Sequence, residues 1–413
     1  MALKQLLTRL WSGAPEERSF TLAGGSAELL DALGSMRTAS GVTVTPNTAM
    51  KLSAVSACVR LIAESIAALP LNVYRRVDDK RRVRVSDIPQ HRLLHNEPNR
   101  LMSSFTFRET LAAHLLLWGN AYALLVRNGA AEVVEMLPVH PQQVAVYKTE
   151  GGELAYEVRI DNLHRRVTQW DMLHIPGLAF DGITGMSPIK YAAQSIGLGL
   201  AAEAFGAAFF GNGSMPSGVL SMPGRLDKTQ IQTLRDSWYA SYGGASNSNR
   251  TAVLFDGAKF DPISLDPDVA QFVETRRFQV ADIARWYRVP PHMIGDLEKA
   301  TFSNIEHQAL EFVTHTLRPW LVRFEQELQR KLFPSSSEGL PSDLYCEFNV
   351  DGLLRGDHKS RNEAYAIGRQ WGWLSVNDIR ARENLEPVAD GDTYIVPLNM
   401  VPAKQAGAQE PKP

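Results

Sequence analysis

The chain has 413 residues, 44% hydrophobic and 21% charged, the composition of a folded protein with its own core and not of a collagen-like, disordered or membrane-spanning chain. Lys and Arg number 43 against 45 Asp and Glu, a net charge of -2, which excludes a protein whose task is to grip phosphate backbones by sheer positive charge. The length exceeds the size at which single cores stop growing, so two or more lobes are expected, or one elongated body completed by neighbouring copies.

The opening "MALKQLLTRLW" puts Leu3, Leu7 and Leu10 on one helical face but is broken by Lys4, Gln5 and Arg9 and leads to no cleavage signal. A short docking helix or a frayed terminus fits it better than an anchor lying on a membrane surface. No run of about 18 apolar residues occurs, so no span of a membrane is expected. Residues 1–45 read as a loosely ordered arm, and the fold proper begins at Pro46.

There Thr45 is an N-cap with Pro46 in the first turn, and a stripe of Met50, Ala54, Cys58, Leu61, Ile62, Ile66 and Leu69 predicts one helix stopped by Pro70. "LNVYRRVDDKRRVRV" alternates on both sides of a polar turn and predicts a hairpin. A second helix is predicted over Ser104 to Trp118, ended by Gly119-Asn120, followed by strand-like pieces "AYALLV", "EVVEML", "QVAVYK", "LAYEVRI" and "RVTQWDMLHI". Residues 46–175 therefore read as an α+β lobe with an antiparallel sheet.

Ser187, with Pro188 after it, caps a predicted helix to Gly211 that carries only Lys190 and Glu203 as charges and wants neighbours on most sides. An excursion follows: a strand at "GVLSM", a helix from Asp227 to Tyr242, and strands at "AVLF" and "FDPISL". Asp266-Pro267 opens a helix stopped by Pro290-Pro291. Ser303 and Glu306 form a capping-box pattern that starts a helix running to Phe333, about 45 Å for roughly 30 residues. Its apolar stripe keeps register through Pro319, which frees the carbonyl of His315 and predicts a kink of more than about 20°. The end of the chain reads as a strand at "LYCEFNV", two short helices, the second capped by Ser375, a strand at "TYIVP", and a disordered polar tail from Ala403.

No stretch carries a catalytic constellation, so the chain reads as no enzyme and as needing no cofactor and no metal. "GLGLAA" at Gly197 to Ala202 has the letters of a dinucleotide site, but its glycines lie inside a helix, where close packing explains them. "GMSPI" lacks the second glycine of a nucleophile elbow. His91 and His95 in "HRLLH" are one turn apart, with no Glu between them and no evident third ligand. Cys58 and Cys346 lie far apart with no CxxC, which fits a reducing compartment better than a disulfide framework. Arg276, Arg277, Arg285 and Arg288 lie on one predicted helix, either as a basic face or as a solvated, salt-bridged one.

Six long stretches in order carry a resemblance: "AVSACVRLIAESIAALPLNVYRR", "RETLAAHLLLWGNAYALLVRN", "LPVHPQQV", "DGITGMSPI", "ATFSNIEHQALEFVTHTLRPWLVRFEQEL" and "GWLSVNDIRARENLEPVADGD". Together, over residues 46–400, they resemble the portal proteins of long-tailed double-stranded DNA bacteriophages. The resemblance implies an elongated α+β subunit: an N-terminal arm (1–45), an α+β wing (46–186), a first stem helix (187–211), a small α/β clip (212–265), a second stem helix (266–291), a tunnel loop (292–302), a long kinked helix with the wing return (303–356), a short helical crown (357–402) and a tail (403–413). It also implies a homo-oligomeric ring, usually of twelve subunits, at one vertex of the virion capsid, assembled in the host cytoplasm without a membrane. Double-stranded DNA would pass through its channel. Terminase would dock on it during packaging and a head-tail connector protein afterwards, with the major capsid protein around it. Leu297, Glu298, Lys299, Ala300 and Thr301 would face DNA in the tunnel loop, and Arg276, Arg277 and Arg285 would face the channel along the stem. A free nucleic-acid-binding protein is the competing reading and would show strong salt-dependent affinity, which the net charge disfavours.

Overall fold

The structure is a computed structural model that describes residues 36–78, 82–160, 163–211, 218–221, 227–242, 259–262, 268–296, 310–334, 342–350, 358–383 and 385–395. The chain divides into two compact units, Met1–Asn349 and Val350–Pro413.

The first unit opens with a short antiparallel pair, β1 (Met36–Arg37) and β2 (Thr43–Val44). Thr45 caps as expected, its Oγ1 accepting from the Thr48 amide at 3.0 Å, but the helix it starts, α1 (Pro46–Ala49), lasts one turn. The chain breaks at Leu52, whose extended backbone sends a buried side chain under Gly199, and restarts as α2 (Ser53–Ala68). The face Val55, Cys58, Ile62 and Ile66 of α2 is fully buried. Pro70 then passes the chain into β3 (Leu71–Arg76), which pairs with β4 (Arg82–Val85) as the predicted hairpin.

The short α3 (Pro89–His91) runs into a π-turn, and α4 (Ser104–Trp118) follows. Ser103 caps α4, and the Ser104 hydroxyl donates instead to the His95 carbonyl at 2.7 Å. Gly119, at φ +79°, ends the helix in the left-handed region that glycine adopts freely. Two three-stranded antiparallel sheets come next. One has the order β10 (Met172–Pro176), β5 (Asn120–Arg127), β6 (Val133–Val139), the other β7 (Val144–Lys148), β8 (Leu154–Ile160), β9 (Leu163–Thr168). The segment "RVTQWDMLHI" is thus two strands in different sheets, divided by a turn at which Arg127 pairs with Asp171 at 3.1 Å. Tyr122, Leu137, Tyr156, Val158 and Met172 join the two sheets in one core.

The next expected helix is interrupted once: Ser187 caps α5 (Pro188–Tyr191), a turn at Ala192 intervenes, and α6 (Ala193–Gly211) continues. The excursion supplies β11 (Gly218–Ser221), α7 (Lys228–Tyr242) and β12 (Lys259–Pro262), with β11 and β12 antiparallel; the strand expected at "AVLF" lies outside the described residues. α8 (Asp268–Tyr287) ends before Pro290-Pro291, and the start expected at Asp266-Pro267 also lies outside the described residues.

The long helix is described from Leu310. It passes through a π-turn, Phe312–Leu317, into α9 (Arg318–Leu332), with Pro319 in the first turn of the α-helical part. The Arg318 amide donates to the Val313 carbonyl, five residues back. One extra residue per turn ahead of the proline gives its ring room and lets the chain stay helical. Phe312, Val313, Leu317, Leu321, Phe324, Leu328 and Leu332 are all buried, so the stripe crosses the proline unbroken. The Ser303–Glu306 cap lies outside the described residues. β13 (Leu344–Phe348) returns to pair with β3, closing a third sheet, β13-β3-β4.

In the second unit, α10 (His358–Gln370) and α11 (Val376–Arg382) are joined by a tight turn. Ser375 caps α11 with a reciprocal Asp378. The strand expected at "TYIVP" is not formed over Thr393–Ile395. These residues brace the helices instead: the Thr393 carbonyl accepts from Arg369, and the Tyr394 hydroxyl donates to Asp378 at 3.0 Å.

Candidate functional site

The tunnel-loop residues Leu297, Glu298, Lys299, Ala300 and Thr301 lie outside the described residues. The chain enters that segment from a tight 3-10 turn, Pro291–Ile294, closed by Gly295.

The two helices before it, α6 and α8, run antiparallel, since Ser195 near the start of α6 meets the indole N–H of Trp286 near the end of α8 at 3.4 Å, while Glu203, further along α6, meets Arg276, further back in α8, at 3.0 Å. The glycines of "GLGLAA" serve close packing of α6 against the segments before α2. A Cβ at Gly197 would stand 2.5 Å from Thr38 Cγ2, and one at Gly199 would stand 2.9 Å from Leu52 Cδ2. The stem arginines do not form one basic face. Arg276 and Arg285 are nine residues, or two and a half turns, apart and so lie on opposite sides of α8. Arg276 is tied to Glu203, and Arg285 lies 3.6 Å from Asp282 and over the Phe278 ring. Arg277 sits on a third side, and Arg288 falls beyond the helix, at φ +55°, with its carbonyl accepting from Thr316.

His91 and His95 stack at 4.9 Å, and no third ligand joins them among the described residues. Burial, then His95 and Arg84, lower the His91 pKa. Cys58 and Cys346 are both buried, which pushes each thiol up to about 12.

The most elaborated polar cluster lies where the β10-β5-β6 sheet hands over to α5. Asn120, at the start of β5, is its hub. Its Oδ1 accepts from the Gly185 amide at 2.8 Å and from His174 Nε2 at 3.0 Å, while its Nδ2 donates to the Gly185 carbonyl at 2.8 Å. His174 Nδ1 accepts from the Tyr156 hydroxyl at 3.3 Å, which fixes the tautomer. Burial, followed by Lys331, holds His174 down to about 3, so the ring is neutral. Around this hub the Gly177 amide donates to the Gly119 carbonyl at 2.8 Å, Met186 to Leu178 at 2.8 Å, and the Ser187 hydroxyl to the Leu117 carbonyl at 2.8 Å. Arg323 of α9 reaches in and donates to the carbonyls of Pro176 (3.0 Å) and Gly177 (2.8 Å). Segment 177–187 is thereby held by β5, by the end of α4 and by the long helix at once.

The sequence marks Asn120 only as part of a helix end and Gly185 only as the first glycine of "GMSPI", and it marks neither His174 nor Arg323; the partners Asn120 and Gly185 lie 65 residues apart. Asn120→Ala is expected to cost about 3 kcal/mol, because it leaves a buried amide, a carbonyl and a histidine N–H without partners. Urea unfolding checks this; a loss below about 1 kcal/mol would mean that the hub is not what holds the segment.

A family profile described as "Phage portal protein" matches residues 53–384. The "Probable portal protein" of Streptomyces phage phiC31 is 38% identical over 380 residues, covering 88% of this chain and 81% of the relative. The "Portal protein" of Enterobacteria phage HK97 is 34% identical over 368 residues, covering 88% and 86%. Among solved structures, a chain from the neck of an empty gene transfer agent (GTA) particle, computed with C6 symmetry, superposes with a TM-score of 0.59 at 26% identity, covering 80% of this chain and 89% of that one. The match runs from α2 to α11 and so spans the sheets, the clamped junction and both antiparallel helices: the chain belongs to the phage portal protein family.

Proposed function

We propose that the chain assembles into a ring, of twelve subunits by the family expectation, at one vertex of a virion capsid, and that double-stranded DNA passes through its centre during packaging and ejection. The observation that carries this reading is the antiparallel pair α6 and α8 in a chain of the portal family, with a relative drawn from a symmetric particle neck. In this reading residues 46–186 are the wing, α5 to α6 and α8 the stem, 212–265 the clip that meets terminase and later a head-tail connector protein, 292–302 the tunnel loop and 357–402 the crown. Ring assembly takes place in the host cytoplasm, within reach of the major capsid protein. The role asks for no bond to be made or broken, so no catalytic group and no cofactor is assigned.

The electrostatics support a conduit. Each neutralised phosphate releases counterions and adds affinity, so a wall rich in free cations would retain the DNA it should pass. Arg276 and Arg285 are paired with carboxylates, and the whole chain carries -2. The π-turn ahead of Pro319 supports a bend of more than about 20° in the long helix. Negative-stain images of the purified chain are expected to show rings with a central hole; a monodisperse monomer would refute the reading.

Within the tunnel loop, adjacent Glu298 and Lys299 would present rings of alternating charge with little net pull on DNA. Lys299→Ala is expected to lower the retention of packaged DNA, and Glu298→Ala to slow its passage, both read as DNA length per particle and packaging rate. Unchanged values in both variants would remove the loop from this role.

A further inference from the structure

β4 is an edge of its sheet. In the order β13-β3-β4 it bonds to β3 alone, and Arg82, Val83 and Arg84 are exposed while Val85 is buried. Side chains alternate along a strand, so Arg82 and Arg84 lie on one face and Val83, 54% exposed, on the other. Cross-strand pairing sets Arg76 opposite Arg82 and Tyr74 opposite both Arg84 and Tyr345, so all of these share the basic face. The rings of Tyr74 and Tyr345 stack at 5.8 Å and form its floor. Arg82 lies over the Tyr74 ring at 4.7 Å and Arg76 over the Tyr345 ring at 5.7 Å. The rings hold the two guanidinium groups in place, so little side-chain freedom is lost when an anion binds them. Arg82 also pairs with Glu347, whereas Arg76 and Arg84 have no ion pair among the described residues. The carboxylates of this face, Asp343 and Glu347, stand at β13 on the far side of the sheet, which leaves the β4 edge itself purely cationic.

We propose that β4 is a docking edge for an extended segment of another protein in which acidic and apolar residues alternate. Paired antiparallel to β4, such a segment completes the backbone bonds that an edge leaves open, sets carboxylates against Arg82 and Arg84, and lays an apolar side chain beside Val83. Charge complementarity selects this occupant. Two copies of β4 meeting edge to edge would set arginine against arginine, so a second copy is repelled. A nucleic acid would use the arginines but neither the backbone edge nor Val83. The inference is independent of the ring reading above.

The test measures the fluorescence anisotropy of a labelled peptide of alternating Glu and Val mixed with the full chain, with a Lys-Val peptide and a short DNA duplex for comparison. The Glu-Val peptide is expected to bind, less tightly as salt rises, and the Lys-Val peptide is expected not to bind. Arg84→Glu is expected to weaken binding about tenfold and Val83→Asn about threefold. Both side chains are exposed, so the melting temperature should hold in each variant. Proline in place of the central valine of the peptide should abolish binding, since proline has no N–H to give the ladder. If the Glu-Val peptide does not bind the parent chain, or binds both variants as it binds the parent, the edge is not a docking site. If the proline peptide binds equally well, or the duplex binds more tightly than the peptide and only Arg84→Glu weakens it, the face is a charge site alone and the strand reading is overturned.

Discussion

Gly185→Ala is expected to destabilise the chain by about 4 kcal/mol or more. A Cβ at this position would lie 1.9 Å from the Gly119 carbonyl oxygen and 2.5 Å from the Gly177 amide nitrogen, two backbone atoms bonded to each other at 2.8 Å. No rotamer can relieve a clash with backbone, so the strands must part. Overpacking a well-filled site costs up to about 3 kcal/mol, and each hydrogen bond broken by the shift, from Gly177 to Gly119 and between Asn120 and Gly185, adds about 1. For a chain of this size the transition should fall by about 5 °C. Gly129→Ala is the control, because nothing lies within 4 Å of its added Cβ. Equal melting temperatures for the two variants would show that the junction yields freely. In a ring an error here would repeat in every subunit, because segment 177–187 sets how the β10-β5-β6 sheet meets α5.

Local signals in the sequence were legible where one residue decides the backbone. Pro70, Gly119, Ser187 and Ser375 each end or cap an element where their chemistry demands it. What escaped depends on partners distant in the chain. The helix expected from Pro46 breaks because Leu52 is drawn under Gly199, 147 residues on, and no propensity at 50–52 announces this. Arg108 reads as the polar side of a helix, yet it is buried, its guanidinium donating to the carbonyls of Leu94 (2.9 Å) and Ala67 (2.7 Å), while burial lowers its pKa to about 10. "TYIVP" has a strand's alternation, but Thr393 and Tyr394 are spent on Arg369 and Asp378. The junction hub is the extreme case. Asn120 reads as the ordinary residue after a helix-ending glycine, and its role exists only once β10 lies beside β5 and 185 folds back on both.

Acidification from pH 7 to pH 5 is expected to remove about 4 kcal/mol of stability through His114 and His174. Burial holds both rings near pKa 3, helped by His140 in the first case and by Lys331 in the second, whereas an unfolded histidine titrates near about 6.5. A base whose folded pKa is depressed stabilises the fold fully above its unfolded pKa and loses that contribution as pH falls from there towards the folded value. At pH 5 the unfolded chain has passed about 1.5 units below its midpoint, which is about 2 kcal/mol per ring. His91 and His140 are lowered as well and act in the same direction, while Glu325, raised by burial, opposes them. Carboxylates with lowered pKa, such as Asp181, act only below this window. Urea unfolding at pH 7, 6 and 5 measures the slope, and His114→Phe identifies its source. The His114 Nδ1 atom has no hydrogen-bond partner among the described residues and its ring packs edge-on against Trp118, so phenylalanine should fit and should remove about half of the loss. An unchanged slope in that variant would place the acid sensitivity elsewhere. The other half belongs to His174, and protonation of Nδ1 there forfeits the bond from Tyr156 and puts a charge against the Asn120 hub, so the junction of the β10-β5-β6 sheet with α5 should open before the sheets themselves.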